Sequence, residues 1–93
     1  EGFGEPSGYQ NACMVEYRLQ EGSALDGVQL LDIYRSARAR VLICAVSRKG
    51  ETTIPSGDFQ LKSGDKIYVT AAPDQLSAFF QYLSSLYNPP IHA

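Results

Sequence analysis

The tripeptide Ser-Gly-Asp occurs twice, seven positions apart, as Ser56-Gly57-Asp58 and Ser63-Gly64-Asp65. Repeated carboxylates beside glycine and serine raise four kinds of chemistry: metal binding, phosphate binding, acid–base catalysis and chain turning. A calcium loop needs oxygen ligands at several fixed positions and a closing bidentate glutamate, which this stretch lacks. A phosphate loop runs into a helix, whereas the residues after the second copy, "KIYVTA", alternate like a strand. A carboxylate pair for acid–base work fits the spacing, but nothing else nearby suggests a substrate cleft. Turn formation needs less. Serine supplies a local acceptor, glycine takes a positive φ, and the short aspartate bonds its own backbone. Both copies are therefore expected to turn the chain around a short segment, 59–61.

A second constellation is cationic. "YRSARAR" sets Arg35, Arg38 and Arg40 at the end of an amphipathic stretch. Arginines there complement the negative end of a helix dipole and are commonly just solvated. The sharper reading is an anion-binding or subunit-contacting patch, because planar guanidinium groups suit phosphates and carboxylates. Cys13 and Cys44 belong to no C-x-x-C pair, and the one histidine, His92, lies two residues beyond a double proline. That inventory argues against zinc, and against a Ser/His/Asp or Cys/His centre with a fixed base. Both cysteines sit in apolar runs and are expected to be buried thiols.

The composition frames these candidates. Ninety-three residues with 44% hydrophobic and 19% charged side chains suit one small globular domain. A net charge of −2 gives no electrostatic reason to expect nucleic acid. No apolar run approaches the ~18 residues that would cross a bilayer. The glycine-rich opening, residues 1–11, reads as a flexible lead and residues 87–93 as a tail or linker. A domain over 12–86, taken from a longer protein, is expected between them.

The elements that must hold the candidates follow from periodicity. "CMVEYRL" alternates, with Val15, Tyr17 and Leu19 on one side. Leu30, Ile33, Tyr34 and Ala37 form one helical face. "VLICAV" is a continuous apolar run, which reads as a central strand covered on both faces. "SRKGE" reads as a hairpin turn with Gly50 at a positive φ, and "TTI" as a short return strand stopped by Pro55. After "KIYVTA", Pro73-Asp74 opens a helix with the stripe Leu76, Phe79, Phe80 and Leu83. The expected fold is α+β, β-α-β-β-β-α, with a mainly antiparallel sheet and two helices packed on one face.

Taken together, Gly22-Ser23, Leu25, Gly27, Ile54-Pro55, Asp58, Leu61 and Gly64-Asp65-Lys66-Ile67 resemble the TrkA-C (RCK-C) regulatory domain of bacterial Trk/Ktr-type potassium-uptake proteins. The resemblance covers roughly residues 13–84. It implies the fold just read and no catalytic role for either aspartate. It also implies a cytosolic location, at the inner face of the membrane through a transporter or channel partner, and pairing as a homodimer. Dinucleotide binding would belong to a Rossmann-type neighbour, because no G-x-G-x-x-G follows a strand here. Some family members bind cyclic di-AMP in the dimer cleft. Those tend to carry asparagine near the start of the second strand, where this sequence reads Arg40-Val41-Leu42, a departure that counts against that ligand.

The expectation is thus a non-catalytic regulatory module controlling potassium ion transport. Arg35, Arg38 and Arg40 are its candidate ligand contacts, and Leu30, Leu31, Ile33 and Tyr34 its candidate dimer or cleft packing. No metal, no cofactor of its own, no nucleic acid and no membrane insertion are expected. The rivals are an assembly domain without a ligand and a small hydrolase using Asp58 or Asp65.

Overall fold

The computed structural model describes residues 13–86. Six elements follow in order: β1 (Cys13–Arg18), α1 (Leu30–Ala37), β2 (Leu42–Arg48), β3 (Glu51–Thr53), β4 (Lys66–Ala71) and α2 (Pro73–Leu86). This is the β-α-β-β-β-α order expected from the sequence. The strands form one sheet in the order β1-β4-β2-β3, and every neighbouring pair is antiparallel. The expected lead, the expected tail and His92 lie outside the described residues.

Alternation decides which face is buried. β4 pairs Val69 with Val15 and Ile43, and Ile67 with Tyr17 and Val46, so these six side chains share one face. Both helices pack there, adding Leu30 and Ile33 from α1 and Leu76, Phe79 and Leu83 from α2. Leu19, Leu25 and Leu61 complete the core from the loops. Full burial of an aliphatic or aromatic side chain contributes about 1.5–3 kcal/mol, which is how so small a domain holds together. Phe79, fully buried, lies 5.6 Å from the Phe80 ring, and Phe80 in turn lies 5.6 Å from Tyr17 on β1.

The opposite face of the sheet is open, which corrects the reading of "VLICAV" as covered on both sides. β2 is an inner strand by pairing, yet Leu42 is 56% exposed, as Met14 is at 61%; both stand across from Thr70. The apolar run is continuous for a different reason. A register shift between Ile43 and Ala45 marks a β-bulge, so the inward residues Ile43 and Val46 are three apart rather than two. The cysteine expectation also needs correcting. Cys13 is exposed at the start of an edge strand and Cys44 is only half-buried at the bulge.

The β2–β3 hairpin matches its sequence signal. Lys49 and Gly50 form a two-residue loop with φ of 53° and 84°. Two positive φ values give the type I′ turn whose twist suits a hairpin. The short 59–61 segment between the two turns forms no strand and pairs through an isolated bridge between Gln29 and Gln60.

Candidate functional site

The two Ser-Gly-Asp copies both turn the chain, in different ways. In the first, the Phe59 N–H donates to the Ser56 carbonyl at 3.1 Å, and the Ser56 hydroxyl donates to Asp58 Oδ1 at 2.5 Å. All three residues of this copy are exposed. In the second, the Asp65 N–H donates to the Lys62 carbonyl at 3.0 Å, with Gly64 at φ 91°. A positive φ at the third turn position is what a type II turn requires. Here the Asp65 side chain turns inward and is 1% exposed.

A buried carboxylate needs partners, because an unpaired charge in the interior is very costly. Asp65 has three donors. Arg48 Nε reaches Oδ1 at 2.8 Å, Arg48 Nη2 reaches Oδ2 at 2.7 Å, and the Lys62 N–H reaches Oδ2 at 2.9 Å. Burial by itself pushes this carboxyl up. The Arg48 hydrogen bonds, the Lys62 N–H and the charges of Arg48 and Lys62 outweigh it and hold Asp65 below the ordinary aspartate value. The same hydrogen bonds raise Arg48 above its usual value. The Asp65 carboxylate is thus committed to this fork, while Asp58 is exposed and bonded to its own turn serine.

Arg48 continues beyond Asp65. Its Nη2 also donates to the Gln60 carbonyl at 3.0 Å, and its guanidinium lies over the Phe59 ring, 5.0 Å from the centroid. Sequence reasoning passed over this residue as part of a hairpin turn. A signal was available: counting by twos from buried Val46 puts Arg48 on the covered face, where a cation needs a carboxylate.

The arginine patch has the opposite character. α1 ends at Ala37, and Arg38 follows in the left-handed conformation, φ 57° and ψ 25°. Arg35 stands in the last helical turn, and Arg35, Arg38 and Arg40 are all exposed. None of the three side chains has a hydrogen bond or ion pair among the described residues, whereas the Arg40 backbone N–H donates to Gln75 Oε1 at 2.8 Å. That bond fixes the entry to β2 against the first turn of α2. Tyr34 closes the same corner from α1, its hydroxyl accepting from the Ile43 N–H at 2.9 Å. Three guanidinium groups without a partner among the described residues thus lie along the connection from α1 to β2.

Of the four apolar candidates on α1, Leu30 and Ile33 are each 1% exposed and belong to the core. Their side chains face the sheet and α2, away from any outside partner. Leu31 is 42% exposed and faces outward from the helix, whereas Tyr34 is half-buried, packed against the core with its hydroxyl turned to β2. A cleft of about 400 Å³ lies elsewhere, lined by Tyr17, Leu25, Leu83 and their polar neighbours. Among the described residues no group of His, Cys, Asp or Glu is placed to hold a metal ion, and no helix is long and apolar enough to cross a membrane.

The family model of the TrkA-C domain matches residues 14–84, almost the whole described domain. The chain belongs to the TrkA-C domain family. A Trk system potassium uptake protein TrkA homolog from Archaeoglobus fulgidus is 30% identical over 78 residues, covering 84% of this chain. The chain spans 16% of the length of that relative. Among solved structures, the RCK C domain of the potassium transport protein KtrA, in complex with cyclic diadenosine monophosphate, superposes with a TM-score of 0.66. It is 23% identical and covers 78% of this chain and 85% of that one. The RCK_C domain dimer of BusR from S. agalactiae, also bound to c-di-AMP, gives a TM-score of 0.63 at 19% identity, over 77% of this chain and 96% of that one. BusR is also known in complex with its promoter DNA, where this chain covers 37% of it. The fold therefore occurs in a DNA-bound protein, and the net charge of −2 bears on this TrkA-C domain alone. The α+β architecture of the TrkA-C domain, with two helices on a four-stranded antiparallel sheet, is that of these neighbours.

Proposed function

We propose that this TrkA-C domain is a regulatory module of a potassium-uptake protein, one that self-associates and takes an anionic effector where α1 meets β2. The observation that carries the reading is the arginine corner. Arg35, Arg38 and Arg40 are exposed and unpaired on a chain whose net charge is −2. Such a corner is a local positive field on an acidic protein, suited to a phosphate-bearing ligand. Leu31 on the same helix supplies exposed apolar surface for a second copy or for the base of a nucleotide. Binding energy that differs between two arrangements of the paired domains would shift the parent protein between them. The KtrA and BusR neighbours, each bound to cyclic di-AMP, make that compound the first probe. The parent protein's transporter partner, its location at the inner face of the membrane and a dinucleotide in a neighbouring domain belong to the same proposal.

The test is a thermal-shift series on the full chain with cyclic di-AMP, ATP and inorganic pyrophosphate, alongside light scattering for mass. A ligand that binds only the folded form adds about 2.7 kcal/mol at 100 times its dissociation constant, a readily seen upward shift. The reading expects a shift with at least one probe, its loss in Arg35→Gln/Arg40→Gln, and a dimeric mass. No shift with any probe would remove the effector, and a monomeric mass would remove the self-association.

A further inference from the structure

Helix α1 carries the arginine corner at its C-terminal end, and what holds its other end lies outside the helix. α1 has eight residues, and no side chain caps its N-terminus. A helix of two turns is not stable by itself, so its placement depends on outside contacts. Its first N–H groups find them on the 57–60 segment. The Leu30 N–H donates to the Phe59 carbonyl at 3.0 Å and the Leu31 N–H to the Gly57 carbonyl at 2.8 Å. The 57–60 segment belongs to no regular strand; it pairs through the isolated Gln29–Gln60 bridge and, one residue on, through Leu61, which exchanges backbone bonds with Gly27 and Val28. Arg48 grips it from the far side, through the Gln60 carbonyl and the Phe59 ring. Arg48 is itself held by the fork on Asp65.

We propose that Arg48 is the positioning residue of α1: forked onto Asp65, it fixes the 57–60 segment whose carbonyl groups cap the helix, and so sets where Arg35 and Arg38 stand. The last step, from helix to effector affinity, rests on the function proposed above; the first, from Arg48 to α1, does not. The two Ser-Gly-Asp copies then act as one device. The second copy supplies the carboxylate that orders Arg48, and the first supplies the Gly57 carbonyl that receives the helix. A lysine at position 48 keeps the charge but has a single nitrogen, which cannot hold both carboxylate oxygens and the Gln60 carbonyl in one plane.

Amide hydrogen exchange on the full chain tests the first step. Arg48→Lys is compared with Leu83→Val, which loosens the core from the far end of α2. Arg48→Lys is expected to speed exchange at Leu30 and Leu31 tenfold or more relative to Val69 in β4, while Leu83→Val leaves that ratio unchanged. An unchanged ratio in Arg48→Lys would overturn the proposal whether or not any ligand binds. Should Arg48→Lys fail to fold, Phe59→Leu removes the ring beneath the guanidinium and is expected to shift the same ratio severalfold; no shift there overturns the proposal equally. Where cyclic di-AMP or pyrophosphate binds the unaltered chain, Arg48→Lys is expected to weaken it tenfold and Leu83→Val less than twofold, and equal weakening in both would reduce Arg48 to a stability residue. If neither probe binds the unaltered chain, the effector reading fails while the exchange ratio still decides the role of Arg48.

Discussion

The two Ser-Gly-Asp copies have one sequence and two fates. Asp58 stays at the surface with a bond to its own turn serine, while Asp65 is withdrawn from water and carries a bidentate arginine. The glycines differ in the same sense. Gly64 sits at φ 91°, and Gly57 adopts no positive φ. The difference comes from what surrounds each copy. The second is knitted on all sides: the Leu19 N–H donates to the Asp65 carbonyl, Gly64 donates to Leu19, and the Ser63 N–H donates to Asp26 Oδ1. The first is tied to the start of α1, through the Leu31 N–H on the Gly57 carbonyl. A tripeptide thus specifies that the chain turns, and its neighbours specify whether the carboxylate becomes structure.

The sharpest way to break this comparison is to neutralise the two aspartates. Asp65→Asn leaves Arg48 facing an amide, and we expect a loss of about 2–3 kcal/mol in urea denaturation, less than for a fully buried pair because Arg48 is 35% exposed and partly hydrated. Asp58→Asn should leave the urea midpoint where it was. Equal effects would erase the distinction between the copies.

The glycines come next. Gly64→Ala forces a β-carbon into the left-handed region and should cost about 1–2 kcal/mol, although nothing crowds the site. Gly57→Ala meets only the Leu31 β-carbon at 3.7 Å, an ordinary contact, and should shift stability by less than about 0.5 kcal/mol.

Acid gives a subtler contrast. Asp65 is held below its ordinary value, so its stabilising contribution is complete above the unfolded aspartate value, about 3.9, and is lost as pH falls through the lower folded value. Denaturation midpoints measured from pH 6 downward should therefore fall more steeply for the unaltered chain than for Asp65→Asn, with the curves converging at the acid end. Parallel curves would show that Asp65 is not the group being titrated. The smallest expected effect is Lys66→Met, which removes an exposed 3.6 Å pair with Glu16 and should change the midpoint barely at all.

Much of the fold was legible because local pattern and tertiary environment agree. Of the stripe Leu76, Phe79, Phe80 and Leu83, all but the half-buried Phe80 are buried as the helical spacing required, and Ile67 and Val69 face in as alternation required. Legibility failed where one residue broke the period or where a partner lay far along the chain. The bulge at Cys44 made a one-sided strand look buried on both faces. The Arg48–Asp65 pair spans seventeen positions with no motif to announce it. The arginine corner was visible as a cluster, and its lack of partners was not.

Composition, periodicity and turn residues by themselves determined the order of elements, the face each helix buries and the places where the chain reverses, because those follow from local backbone preference and the hydrophobic effect acting on a fixed spacing. Tertiary structure alone decided which aspartate is withdrawn from water, which arginine answers it, and that Arg35, Arg38 and Arg40 stay exposed without a side-chain partner among the described residues. Charges are satisfied by distance in space, and a linear sequence does not record that distance.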